Sequence, residues 1–281
     1  SKRVLRLGIV LYGFRLTFQD VLAVGAPALL IDAVVVTVTI CGGVLLGRLL
    51  KMDRGIALLT SVGSGICGAA AVLGAESTIR ARPYKTAVAV STVVIFGTIS
   101  MFLYPVLYRH GIVSLTPEQM GIYTGATLHE VAHVVGAGNA MNGEISDAAI
   151  IVKMIRVMML VPVLLTISYS ISVARARRRR LADRRSCGGV TRRIAVPWFA
   201  LGFLAVIGFN SFGLLGEATV SFIHSLDTFL LTMAMTALGA ETSIEKFKKA
   251  GAKPFVLSLL LFVWLVGGGW LLVKYMAPAL M

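Results

Sequence analysis

The sequence predicts an all-α polytopic membrane protein in which two glycine-rich helical segments are interrupted within the membrane. Three observations lead to this fold class: the apolar composition, the spacing of the apolar segments, and the basic residues between them. Hydrophobic residues make up 57% of the 281 residues, and charged residues only 14%. A soluble domain of this size could not cover its surface with so few charges.

Nine segments are long and apolar enough to be membrane helices, each of which needs about 20 mostly apolar residues. The basic residues collect in the breaks between these segments. We therefore expect a single membrane domain over residues 1–281, without a separate soluble domain. The nine segments cover residues 4–23, 27–50, 55–79, 86–108, 117–139, 146–174, 194–215, 219–244 and 254–277.

The formal net charge of +14 reflects membrane orientation rather than nucleic-acid binding. Nine arginines lie between Arg175 and Arg193, where Asp183 is the one acidic residue. Basic residues beside apolar segments mark the cytoplasmic side of a membrane protein. We therefore expect residues 175–193 to form a cytoplasmic loop between a first block, 1–174, and the C-terminal helices, 194–281. The other basic groups, at 2–6, 48–54, 80–85 and 246–253, should share that side.

Strict alternation of nine crossings places the basic group at 80–85 on the wrong side. It becomes cytoplasmic if residues 55–80 form a re-entrant hairpin, which enters and leaves the membrane on one side. Residues 117–143 must then form a second hairpin from the opposite side. Both segments are rich in glycine, which favours non-helical backbone where protein or a cavity surrounds it.

The two glycine-rich segments also resemble each other. A shift of 62 residues aligns Gly63 and Gly74 with Gly125 and Gly136. With one crossing between them, the segments are inverted copies only if both are hairpins. Inverted repeats with two interrupted segments are typical of secondary transporters. The alternative is chance similarity between stretches rich in glycine, alanine and valine.

His129, Glu130 and His133 form an HExxH motif. On a helix, the two histidines would share one face and could bind zinc, with Glu130 as a general base. An intramembrane zinc protease is therefore one alternative function. No third ligand is evident, and the repeat partner around Cys67 carries no ligands. We favour a transport role for His129 and Glu130, without a metal, a cofactor or enzymatic activity; a satisfied polar pair at a helix end is the third interpretation.

Cationic residues lie inside the predicted membrane segments. Lys153 and Arg156 are three residues apart and therefore share a helix face, and Arg15 lies within the first segment. A charge at membrane depth usually faces a partner or a cavity, so these residues favour an anionic substrate. The alternative is snorkelling, or pairing with an acidic residue: Asp32, Glu76 or Glu130.

These considerations predict a substrate site between the two interruptions, with protons or sodium as candidate coupling ions. The alternative for Glu241 is a helix-end carboxylate near Lys248. The predicted substrate-binding residues are Arg15, Gly65, Cys67, Gly68, Ala69, Thr127, His129, Glu130 and Arg156, and the coupling candidates are His129, Glu130, Glu76 and Glu241.

Short motifs along essentially the whole chain resemble those of YeiH-type bacterial inner-membrane proteins. They are Leu7–Phe18, Gly65–Val72, Val93–Thr98, His129–Val131, Arg156–Leu160, Leu226–Leu231 and Lys249–Pro254.

This resemblance implies a multi-pass protein of the bacterial inner membrane that exports a small sulfur-containing anion: sulfate, sulfite or a sulfonate. It implies a distant relation to bile-acid symporters and cation/proton antiporters. It also implies further helices before Ser1, where the chain starts without methionine. The expected partners are the anion, the lipid bilayer and a coupling ion, and the architecture suggests a homodimer. A membrane protein that binds or regulates without transport, through an acidic partner of the basic loop, is the remaining alternative.

Overall fold

The computed structural model describes residues 7–8, 10–15, 17, 19, 25–182, 198–240 and 251–280. Within these ranges the structure contains helices and no strand, which confirms the predicted all-α class. After a 3-10 turn at Tyr12–Arg15, the helices are α1 (Gly25–Leu49), α2 (Arg54–Gly65), α3 (Ala69–Ile79), α4 (Pro83–Arg109), α5 (Pro117–Thr127), α6 (Val131–Met141), α7 (Gly143–Met158), α8 (Leu160–Ala182), α9 (Trp198–Ser211), α10 (Glu217–Ala240), α11 (Lys253–Val263) and α12 (Gly269–Leu280); a π-helical turn, Trp264–Gly268, joins the last two.

Four stretches of the described chain are long and apolar enough to cross a membrane. They correspond to the second, fourth, sixth and ninth predicted segments. Helix α8 continues to Ala182, beyond the end of the apolar stretch at Val173, so the predicted basic loop begins as helix. Alanine and arginine are both good helix formers, so the helix extends into the loop that we expected to begin at Arg175. The four stretches are Ala28–Leu49, Pro83–Arg109, Gly143–Val173 and Lys253–Ala279.

Helices α2 and α3 form the first re-entrant hairpin, which we call hairpin one. Asp53 caps the start of α2 and accepts a hydrogen bond from Lys85 Nζ, in the first turn of α4, at 2.7 Å. A straight helix of the combined length of α2 and α3 would be about 35 Å long. The start of α2 therefore meets the segment after α3 only because the chain turns back. At the turn, Gly63 of α2 lies against Val72 of α3.

Helices α5 and α6 form hairpin two, which enters from the other end of α4. Arg109, the last residue of α4, donates a hydrogen bond to the carbonyl of Ala140, near the end of α6. Helix α7 packs against both arms of hairpin two, beside α5 in parallel and beside α6 in the antiparallel direction. The two glycine-rich segments are thus hairpins of opposite orientation, as the charge pattern predicts.

Small residues let the hairpins approach the long helices closely. A Cβ atom added at Gly43 of α1 would lie 2.2 Å from Ser61 Oγ of α2, and one at Gly47 would lie 2.4 Å from Ala57 Cβ. Gly125 of α5 makes an equivalent close approach to α7. Glycines four residues apart on one face are typical of close helix packing in membranes, where van der Waals contact replaces the hydrophobic effect.

The basic groups at 48–54 and 80–85 share one end of the bundle with Lys253. The Asp53–Lys85 pair brings the groups at 48–54 and 80–85 together, and Lys253 Nζ lies 3.4 Å from the carbonyl oxygen of Lys51. Burial raises the pKa of the Asp53 carboxyl, but hydrogen bonds from Lys85 and from the amides of Ile56 and Gly55 outweigh it and hold that pKa below its usual value. This clustering satisfies the positive-inside rule.

Cysteine labelling from each side of the membrane tests the hairpin topology. With Cys41 and Cys187 replaced by serine, we expect Arg54→Cys and Arg82→Cys to react with an impermeant maleimide from the cytoplasmic side. Ser114→Cys and Glu144→Cys should react from the opposite side, because all four positions are exposed at the hairpin ends. The cysteine-reduced parent is the control. Labelling of Arg54→Cys and Arg82→Cys from opposite sides would mean that residues 54–79 cross the membrane.

Candidate functional site

The tips of the two hairpins, residues 66–68 and 128–130, meet inside the bundle. The backbone amide of Ala69, the first residue of α3, donates a hydrogen bond to Glu130 Oε1 at 3.1 Å. Gly68 has a φ of +72°, and a Cβ atom there would lie 2.3 Å from Glu130 Cγ. Glycine is therefore required at Gly68 for its conformation and for the close approach of Glu130. The carboxylate lies at the positive end of the α3 dipole.

Lys153 of α7 joins the two tips. Its ammonium group donates hydrogen bonds to the carbonyl oxygens of Ile66, at 2.7 Å, and Leu128. Lys153 is fully buried. These carbonyls follow the C-terminal ends of α2 and α5, where the helix dipole is negative and a cation is favourable. One side chain thus satisfies polar backbone groups of both hairpins.

Arg156, one turn further along α7, makes a second bridge of the same kind. Its Nε donates to the Gly65 carbonyl at 2.8 Å, and its Nη1 donates to the Ala126 carbonyl. Among the acidic partners that the sequence suggested, Asp32 of α1 forms the ion pair seen in the described structure, with Oδ1 3.4 Å from Nε. Both side chains are fully buried.

Arg156 is therefore part of the scaffold that holds the tips. In the described structure its Nη2 has no hydrogen-bond partner, and neither has either carboxylate oxygen of Asp32. A role of Arg156 as counter-charge to a substrate remains a prediction, and its unpartnered Nη2 is available for it without breaking a tip contact.

The HExxH motif does not adopt the geometry of a zinc site. Helix α6 begins at Val131, so His129 and Glu130 precede it and the two histidines do not share a helical face. The His133 ring lies against Gly97 of α4, with Nε2 3.5 Å from Thr98 Oγ1. The residues that the structure describes contain no group of three His, Cys, Asp or Glu placed to hold a metal ion.

His129 is 1% exposed, and neither ring nitrogen has a hydrogen-bond partner in the part of the chain that is described. His133 likewise has an unpartnered Nδ1. Buried polar atoms normally find protein or water partners. The buried tips therefore hold imidazole nitrogens that no group of the described chain engages.

A polar network that the sequence analysis missed connects hairpin two to the last membrane helix. The Thr127 hydroxyl donates to the Tyr123 carbonyl at 2.6 Å and lies 2.8 Å from the Tyr104 hydroxyl. Tyr104 and Tyr123 stack with ring centroids 4.7 Å apart, and the Tyr123 hydroxyl donates to the Val266 carbonyl at 2.8 Å. Val266 lies in the π-helical turn, a feature frequent at functional sites. The run of three glycines after it, 267–269, was the available sequence signal.

Most of the predicted site residues come together at the tips. Cys67 is a buried free thiol at the tip of hairpin one. Glu76 is also buried, but it lies seven residues beyond Ala69 on α3, about two helical turns from the tip. The side chain of Arg15 and all of Glu241 lie outside what the structure describes. The residues that come together are Gly65, Cys67, Gly68, Ala69, Thr127, His129, Glu130 and Arg156.

Removing either bridging cation should destabilise the protein strongly. Lys153→Met and Arg156→Met each leave two buried carbonyls unpaired, so we expect the free energy of unfolding to fall by about 2–5 kcal/mol. Unfolding by SDS in mixed micelles measures this change. Lys85→Met is the matched control, since it breaks a partly exposed pair worth less than about 1 kcal/mol. Equal losses in the core and control variants would contradict the bridging role.

Comparison with known proteins places the chain in a family. The family described as conserved hypothetical protein 698 matches residues 1–258. A UPF0324 membrane protein of Bacteroides thetaiotaomicron is 73% identical over 281 residues, covering 100% of this chain and 82% of the relative.

More distant relatives agree. A UPF0324 membrane protein of Pseudomonas aeruginosa is 49% identical over 96% of this chain and 76% of its own length. The UPF0324 inner membrane protein YeiH of Escherichia coli K12 is 46% identical over 95% of this chain and 74% of its own length. No solved structure matches the chain significantly. The helices, the matched family and these relatives together show that the chain belongs to the UPF0324 family of multi-pass membrane proteins.

Proposed function

We propose that this protein is a secondary transporter of the bacterial inner membrane that exports a small sulfur-containing anion by alternating access. The observation that carries the proposal is the meeting of two oppositely oriented re-entrant hairpins at one buried point. Each hairpin approaches that point from a different side, so each can close one access path. Interrupted helices that meet near the membrane midplane form the substrate site in many secondary transporters.

The chemistry of the tips favours an anion. Helices α3 and α6 both begin there, and a helix start presents unpaired amide donors and the positive end of a dipole. The amide of Ala69 already binds a carboxylate oxygen. Lys153 and Arg156 lie on the other side of the tips and add two positive charges. The imidazole of His129, whose ring nitrogens have no partner in the described chain, adds a polar group that can form a hydrogen bond with an oxyanion.

The identity of the anion rests on the resemblance to YeiH-type proteins, which implies a sulfur-containing substrate. Sulfite, sulfate and sulfonates carry several oxygen acceptors on one small centre, and charge-assisted hydrogen bonds from amides and cations suit such groups. Protons or sodium ions are the proposed coupling ions. We propose no enzymatic role, because His129 lies outside the helix on which a zinc-binding HExxH motif depends.

Flux into proteoliposomes tests the proposed function. We expect saturable uptake or release of at least one of four probes: sulfite, sulfate, taurine and sulfoacetate. His129→Ala should lower this flux about tenfold or more, because it removes a group next to the site, while Glu144→Gln, on the exposed start of α7, should not. Runs with a pH gradient and with a sodium gradient identify the coupling ion. Absence of saturable flux for all four probes from folded protein would contradict the proposal.

A further inference from the structure

We infer that the Glu130 carboxylate is a tethered anion that occupies the substrate position at the start of α3, and that the transported anion must displace it. The statement about displacement rests on the proposed function. The occupancy itself rests on contacts within this chain and can be tested without transport.

The local sequence supplies no side-chain cap for the start of α3. Its N-cap residue, Gly68, has no side chain, so the helix lacks the local side-chain cap that a Ser, Thr, Asp or Asn would supply. Glu130, 61 residues away in sequence, supplies the acceptor for the Ala69 amide instead. A carboxylate from the other hairpin thus occupies an anion position that the local sequence leaves open.

Glu130 is more exposed than the residues around it at the tips. Lys153, Arg156, His129 and Ala69 are buried, whereas Glu130 is only partly buried. The carboxylate therefore lies where the buried tips approach accessible space, and an external anion can reach it without unfolding the scaffold. His133, one helical turn along α6, is 8% exposed, has an unpartnered Nδ1 and interacts electrostatically with Glu130.

The charges around the tips balance one another, and Glu130 carries one of them. The two buried cations, Lys153 and Arg156, face two carboxylates, Asp32 and Glu130, that interact with them electrostatically. Asp32 is fully buried against Arg156. Glu130 has no ion pair or cationic hydrogen-bond partner in the described chain, and its one described hydrogen bond comes from an amide. It is therefore the carboxylate that can move away, and an unbalanced charge at membrane depth is costly. A substrate anion would restore the balance when Glu130 leaves.

This arrangement gives the carboxylate a role in the transport cycle. Without substrate, Glu130 of hairpin two holds the tip of hairpin one. With substrate, the anion takes over the amide, and the direct link between the tips is broken. Glu130 is then a competitor of the substrate, so its removal should strengthen anion binding at the tips. A residue that binds the substrate directly would have the opposite effect.

Chemical rescue of a Glu130 variant tests the inference. The melting temperature of the full chain in detergent is measured against sodium acetate and sodium sulfite, at constant ionic strength made up with sodium chloride. We expect Glu130→Ala to be stabilised saturably, by about 3 °C or more, because each anion replaces the missing carboxylate. The wild type should shift much less, because its site is occupied. Acetamide, the neutral analogue of acetate, should not stabilise the variant.

Two further variants keep the test decisive. Glu144→Ala removes a carboxylate from the exposed first turn of α7, and it should show no gain in anion response over the wild type. If Glu130→Ala does not fold, Glu130→Gln keeps the side-chain size and removes the charge, and it should bind sulfite more tightly than the wild type. An anion response in the foldable variant no larger than that of the wild type would overturn the inference.

The outcomes separate this inference from the proposed function. If anions rescue Glu130→Ala but no sulfur anion is transported, the anion position at the start of α3 is supported and the proposed transport of a sulfur anion is contradicted. If the wild type transports a sulfur anion but the Glu130 variants show neither rescue nor tighter binding, the proposed transport is supported and the anion position at the start of α3 is contradicted.

Discussion

The structure depends on the need to satisfy broken backbone inside a membrane. Where α2 and α5 end at the hairpin tips, their last carbonyl oxygens have no helical partners and no bulk water. Lys153 and Arg156 of α7 supply donors to carbonyls of both tips. Because the same two side chains serve both hairpins, neither tip can move far without the other or without losing hydrogen bonds in an apolar environment.

The close glycine packing and the buried cations serve one arrangement. Gly43 and Gly47 let α2 lie tightly on α1, and Gly125 lets α5 lie tightly on α7. One arm of each hairpin, α2 or α5, thus lies closely against a long helix, and α6 also packs against α7. The other arms, α3 and α6, begin at the tips and present their amides to the space between the hairpins. The tips thus have one side where cations bind the carbonyls, and another side of amide donors at which we propose that an anion is exchanged.

The sequence predicted the two hairpins and the residues at their tips, but not the contacts that those residues make. Charge distribution and repeated glycines predicted both hairpins, because membrane orientation and backbone freedom are properties of local sequence. The partners of Lys153 are backbone carbonyls, which carry no residue signature, so its bridge to Ile66 and Leu128 was not predictable. The HExxH pattern predicted a shared helical face for His129 and His133, but hairpin two breaks before Val131. The turn between the two arms of hairpin two therefore prevents the helical geometry that the motif predicts.

The positive charge at the tips is the reason why, in the proposed exchange, an anion and a carboxylate of the chain compete for one position. Lys153 and Arg156 are committed to carbonyls, so their positive charge stays fixed while their donors are mostly used. A negative charge at the tips is therefore needed in every state, but the fixed cations do not specify which group carries it. The Ala69 amide, at a helix start without a local side-chain cap, is the donor that binds this group. Glu130 carries this negative charge when the site holds no other anion, so loading of the site changes the contact between the hairpins.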